Sequence, residues 1–139
     1  MKSIYLVFLL LSAVFLFSCE EKGSDGNYVL GPGGPGGGNV TFKIGIVQDE
    51  FGANYFGANP SAAVKIASVI IMQTNLSVNE TLINPNPDEI FSPLQEGNFY
   101  GITEVPAQAQ AGQLWSFRFK GTFAQGGQSF DVTTNYTVQ

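Results

Sequence analysis

Two pairs of adjacent carboxylates, Asp49-Glu50 and Asp88-Glu89, are the candidates for acid–base work in a 139-residue chain that has no histidine and a single cysteine, Cys19. His-based catalysis, His or Cys metal sites and disulfide frameworks drop out together. Nucleophilic chemistry would have to use Ser, Thr, Lys or a carboxylate pair. Adjacent residues of a strand point to opposite faces, so neither pair makes an acid and base couple, and both are expected in solvated loops. No catalytic residue is assigned, and the chain is read as a non-enzyme. The same oxygens suit a hard cation, and Asn84-Pro85-Asn86-Pro87-Asp88-Glu89 concentrates them. That spacing matches no calcium-loop pattern, so a solvated turn is expected, with no metal and no cofactor.

The second constellation is aromatic. Phe51-Gly52-Ala53-Asn54 recurs as Phe56-Gly57-Ala58-Asn59 around Tyr55. Rings on a glycine-flanked loop can stack on sugars or fill a partner's pocket, which makes Phe51, Tyr55 and Phe56 the candidate ligand-binding residues. They can equally fold under as a plug for the open end of a sandwich, because three exposed rings would form an apolar patch that monomers rarely leave uncovered. For Phe99-Tyr100, alternation expects one of the two to face inward.

The elements that must position these residues are strands. From Trp115 to Val138 the chain alternates apolar and polar around Gly126-Gly127, a two-residue hairpin signal. With those glycines as the turn, Phe123 faces Phe130, Gly121 faces Val132, Phe119 faces Thr134, Phe117 faces Tyr136 and Trp115 faces Val138. The aromatics then share one face. Ser116, Arg118, Lys120 and Thr122 share the other with Asp131, Thr133, Asn135 and Thr137, a solvated face rather than an anion site. A one-residue slip would turn every aromatic to water. Gly121 interrupts the aromatic face and marks a bend or bulge.

Further strands are expected at Val40 to Val47, with Val40, Phe42, Ile44 and Ile46 on one side, at Thr81 to Ile83 and at Asn98 to Thr103. Ala62 to Met72 fits both a helical stripe and an alternating strand with Val64, Ile66, Ser68, Ile70 and Met72 on one face. Its β-branched excess favours a central strand. Short strands over about 100 residues from Asn39 indicate one all-β sandwich with a single core.

Ahead of that domain, Glu20 to Asn39 carries charges, turn formers and the Gly31 to Gly38 Gly/Pro tract, with too few apolar residues for a core. It is read as a flexible linker with an r.m.s. span of roughly 25 Å. Ile4 to Phe17 is an uncharged run of about 14 residues after Lys2, the length of a signal-peptide core and short of a membrane span. The net charge of −5 gives no basic footprint for nucleic acid.

Leu16-Phe17-Ser18-Cys19 resembles the lipobox of bacterial lipoproteins, with the bulky Phe17 departing from the commonest pattern. The resemblance implies cleavage after Ser18, a diacylglycerol on Cys19 and acylation of the new N-terminus. Two or more acyl chains give stable anchoring. Cys19-Glu20-Glu21-Lys22 resembles the charged tract that directs many Bacteroidota lipoproteins to the outside of the outer membrane. Val105-Pro106, Ala111-Gly112-Gln113-Leu114-Trp115-Ser116-Phe117, Gly126-Gly127 and Tyr136-Thr137-Val138 resemble the last two strands of immunoglobulin-like or fibronectin-like bacterial surface domains, without the Cys-Trp-Cys core of true immunoglobulin domains.

The reading is therefore a signal peptide over 1–18, an acylated Cys19 and linker over 19–39, and one immunoglobulin-like β-sandwich over 40–139. The expected protein is an outer-membrane lipoprotein held to the membrane through Cys19. It is displayed outside or, alternatively, faces the periplasm. Its partner is a surface protein or a glycan, and not nucleic acid.

Overall fold

The computed structural model describes residues 39–139. The expected signal peptide, the acylation site at Cys19 and all of the tether before Asn39 lie outside the described residues.

Among the described residues eight strands follow one another without a helix: β1 (Phe42–Gln48), β2 (Asn54–Pro60), β3 (Val64–Gln73), β4 (Val78–Ile83), β5 (Ile90–Phe91), β6 (Tyr100–Glu104), β7 (Leu114–Phe123) and β8 (Ser129–Thr137). They form two antiparallel sheets, β1-β2-β6 and β4-β3-β7-β8, with the short β5 added to β3. The chain crosses from one sheet to the other between β2 and β3, between β5 and β6 and between β6 and β7, so the two sheets form one β-sandwich. The ambiguous Ala62 to Met72 segment is a central strand, as its Val and Ile content favours.

The inner faces meet in an aromatic core. Phe56 of β2 is fully buried against Trp115 and Phe117 of β7, with ring centroids 5.0 and 5.2 Å apart. Phe42 of β1 stacks on Phe119 at 4.0 Å. Val64, Ile71, Phe91 and Phe130 complete the packing, and Val40 and Val138 are buried at its margins. Trp115 Nε1–H finds no acceptor among the described residues, so the indole is held by packing alone. Ile46, expected inward with Val40, Phe42 and Ile44, is 37% exposed near the end of edge strand β1.

The terminal hairpin corrects the expected register while keeping its faces. The connection is four residues, Ala124 to Gly127, closed by Phe123 N–H donating to Gln128 O at 2.8 Å. Gly126 and Gly127, with φ of 80° and 64°, end that loop rather than forming a two-residue turn. Pairing is accordingly shifted by two residues: Gly121 faces Phe130, Phe119 faces Val132, Phe117 faces Thr134 and Trp115 faces Tyr136. An even shift preserves the side-chain alternation. What it gains is fit: Phe130 lies over Gly121, where no side chain competes, and Asp131 comes opposite Lys120.

The expected irregularity at Gly121 falls on its neighbour. β3 bulges between Ile66 and Ser68, directly opposite Gly121. The inward phase of β3 changes there, from Val64 and Ile66 to Val69, Ile71 and Gln73, so Ile70 and Met72 face outward rather than in. Asn84 closes the bulge. Its Nδ2 donates to Ile66 O at 2.8 Å and its backbone N–H to Ala67 O at 2.9 Å. Asn84 is 5% exposed, so Asn84→Ala strands a buried carbonyl and is expected to cost about 1–3 kcal/mol, read as a lower urea midpoint at unchanged slope.

Residues 92–99 cross the outer face of the smaller sheet as a strap. Asn59 ties it down, donating to Leu94 O at 3.0 Å and accepting from Leu94 N–H at 2.9 Å. Phe99 lies over the paired glycines Gly45 and Gly57, where a Cβ would meet its side chain at 2.6 and 2.7 Å. Tyr100 turns the other way, edge-on to Phe91 at 5.1 Å. One of the two rings thus faces the core, as alternation requires.

Candidate functional site

Strand direction sorts the loops to two ends. β1 is antiparallel to β2, β2 to β6, and β7 to β3 and β8. The β1–β2 turn, the β3–β4 turn, the β6–β7 loop and the C-terminal residues therefore lie at one end. Asn39, the β2–β3 turn, the 84–89 loop and the β7–β8 turn lie at the other, as Ser61 N–H donating to Thr41 O at 2.8 Å shows.

The candidate residues Phe51, Tyr55 and Phe56 do not form one surface. Phe56 is 0% exposed and belongs to the core, which corrects its assignment as a ligand contact. The plug reading holds for this ring alone. Tyr55, its neighbour on β2, points to the outer face, where partial burial and then the Asp49 and Glu104 carboxylates raise its phenol above the ordinary value. Tyr55 therefore stays an O–H donor across physiological pH. Phe51 is 84% exposed at the tip of the β1–β2 turn.

That turn is built to hold its shape. Asp49 Oδ1 accepts from Phe51 N–H at 2.9 Å and from Ala53 N–H at 2.8 Å, while Asp49 N–H donates to Ala53 O at 2.9 Å. Gly52 supplies φ of 85°, the left-handed conformation that closes the turn, and Gln48 Nε2 donates to its carbonyl at 3.1 Å. Asp49 is thus occupied in positioning Phe51. The first turn of the repeat presents its ring to solvent, and the strand that follows buries the second. Polarity of the flanks alone does not separate the two copies; the Asp two residues before Phe51 is the signal that marks a turn.

The other carboxylates are dispersed. Asp88 meets Lys65 at 3.3 Å at the opposite end of the sandwich from Asp49-Glu50. In the 84–89 loop Asn84 is turned inward, and its Oδ1 accepts from Asn86 N–H at 2.9 Å. Among the described residues no cluster of three or more acidic side chains is placed to hold a metal ion. On the outer face of the larger sheet, Arg118 grips Asp131 through two bonds of 2.7 Å. The hydrogen bond from Arg118 holds the Asp131 carboxyl below its usual range. This side chain is therefore ionised at neutral pH, and the face is a paired, solvated one.

Two concavities complete the description. An apolar void of about 20 Å³, between Ala58, Ile66, Val69, Phe91 and Phe119, has room for one water. A shallow open depression runs between the β3–β4 turn and the β6–β7 loop, lined by Gln73, Thr74, Asn75, Gly112, Gln113 and Leu114. It shares the Phe51 end of the molecule. The described residues thus define a two-sheet β-sandwich whose most exposed large apolar side chain is Phe51, on a turn held by Asp49. No family model, curated protein or solved structure matches the chain.

Proposed function

We propose that the chain is a lipid-anchored module of the cell envelope that binds rather than catalyses, and that it meets a surface protein through the Phe51 end of its sandwich. The observation that carries this is an aromatic ring 84% exposed on a turn locked by Asp49, at the end opposite Asn39. Proteins seldom fix a bare phenylalanine in water. With the backbone beneath it already fixed, the ring costs less ordering on binding and supplies the large contact area typical of interface anchors.

The anchoring part of the proposal draws on the resemblance of Leu16-Phe17-Ser18-Cys19 to a lipobox. Attached through Cys19, the domain would be held from Asn39 and would turn its Phe51 end away from the lipid. The charged Glu20-Glu21-Lys22 tract supports display outside the outer membrane. A glycan is the second reading, favoured by Tyr55, whose phenol lies near the Asp49 and Glu104 carboxylates on the outer face. In that reading Phe51 and Tyr55 make the contact, and Phe56 does not.

Protease treatment of intact cells is expected to remove the 39–139 domain, with a purified sample as the cleavage control. Survival of the domain until the outer membrane is opened would reverse the outward display. For the contact itself, Phe51→Ala is expected to abolish capture of the surface partner without moving the melting temperature. Loss of polysaccharide retention on Tyr55→Ala, with protein capture intact, would replace the protein reading by the glycan one.

A further inference from the structure

We propose that β8 is a self-complementary edge through which two copies of this chain join their larger sheets, by antiparallel pairing centred on Thr133. Of the four sheet edges, three carry devices that discourage pairing. β1 has Lys43 near its start and Gly45 at its middle, β4 carries Glu80 on its core-facing side, and β6 is only five residues long. β8 is nine residues long, without proline, glycine or lysine, and its one charge, Asp131, is already held by Arg118 at 2.7 Å.

Hydrogen-bond parity fixes which groups are available. Phe123 N–H donates to Gln128 O and Val138 N–H to Gln113 O, so the even-numbered residues of β8 direct their backbone groups at β7. The odd-numbered ones, Ser129, Asp131, Thr133, Asn135 and Thr137, direct theirs at the free edge. Among the described residues only Thr137 O of this set has a partner, the side chain of Gln139 at 3.1 Å. A twofold antiparallel pair must therefore set odd residues against odd ones, which places its axis on a residue and not between two. Centring on Val132 or Thr134 would bring Thr137 opposite Gly127 or Ser129 opposite Gln139, outside the strand. Centring on Asp131 would set two carboxylates face to face. Centring on Asn135 would leave Ser129 and Phe130 beyond the end of the chain's partner strand.

Centring on Thr133 pairs the whole strand, and the sequence SFDVTTNYT is chemically palindromic about that point. Ser129 meets Thr137 of the second copy, Phe130 meets Tyr136, Asp131 meets Asn135, Val132 meets Thr134 and Thr133 meets itself. Hydroxyl faces hydroxyl, ring faces ring, and each acid faces an amide. These are the cross-strand combinations that stabilise antiparallel sheets, and no like charges oppose one another. The pairing is independent of what Phe51 contacts and of the lipid anchor.

Cysteine pairing in the full chain tests it, with the unsubstituted chain as the background for Cys19. Thr133 is exposed, and opposed residues of a hydrogen-bonded pair lie about 5.5 Å apart at Cα, within disulfide reach. Thr133→Cys is expected to oxidise to a disulfide dimer, and Thr81→Cys on the β4 edge to stay at background. Asp131→Cys and Asn135→Cys are expected to cross-link when mixed and not separately. Adding Asn135→Asp to Thr133→Cys, which sets carboxylates opposite Asp131 twice, is expected to abolish the dimer. Cross-linking of Thr133→Cys no faster than Thr81→Cys, cross-linking of Asp131→Cys alone, or a disulfide to some other protein would overturn the proposal.

Discussion

Phe56→Ala is expected to destabilise the domain by about 3–5 kcal/mol, whereas Phe51→Ala is expected to leave its stability within about 0.5 kcal/mol. The two rings sit in copies of one tetrapeptide and differ only in where the backbone carries them. Phe56 is fully buried, with Trp115, Phe117 and Tyr136 around it at centroid distances of 5.0, 5.2 and 6.3 Å. Removing it opens a cavity between two sheets whose backbones are held apart by the neighbouring rings, so the site cannot collapse. Against a total stability of about 5–15 kcal/mol, that loss is enough to depopulate the folded state at elevated temperature. Phe51 touches water over 84% of its surface, and its turn is held by Asp49 and Gly52 rather than by the ring. Thermal unfolding of the two variants side by side checks the assignment; a large loss from Phe51→Ala would make that ring structural.

Gly121→Ala is the second large effect, expected at or above the roughly 1–3 kcal/mol of ordinary overpacking. A Cβ at this position would fall 2.0 Å from Lys65 O, 2.9 Å from the Phe130 ring and 3.1 Å from Ile66 Cα. Two of the three obstacles are backbone atoms of the bulged part of β3, which Asn84 holds in place. A trimmed ring does not relieve them, so Phe130→Leu is expected not to rescue the alanine variant in urea unfolding. Recovery of the midpoint in the double variant would show that Phe130, rather than the β3 backbone, is the obstacle.

These residues also mark how far the sequence can be read. The faces of β7 and β8 were legible because period-two alternation is a local property, and Trp115, Phe117 and Phe119 are inward as it demands. The register was not, because Gly126-Gly127 fits both a two-residue turn and the end of a four-residue loop. The choice is made by the packing of Phe130 on Gly121. In β3, alternation extrapolated past Ala67 put Ile70 and Met72 on the wrong face, since a bulge answers to the opposite strand and to Asn84, 17 residues further on. The aromatic repeat shows the same limit from the functional side. Phe51, Tyr55 and Phe56 look alike in composition, and the strand boundary at Asn54 sends one to solvent, one to an outer face and one to the core.

In the proposed function, the position of Asn39 and Phe51 at the two ends of β1 decides the path a load would take. A pull between a tether at residue 39 and a partner at Phe51 runs along a single strand, Phe42–Gln48, and never crosses the core. A strand already rises about 3.3 Å per residue, against at most about 3.6 Å when fully taut, so the link is nearly inextensible. The other seven strands are spectators to that load, and the sandwich transmits tension as a stiff cord without being asked to unfold.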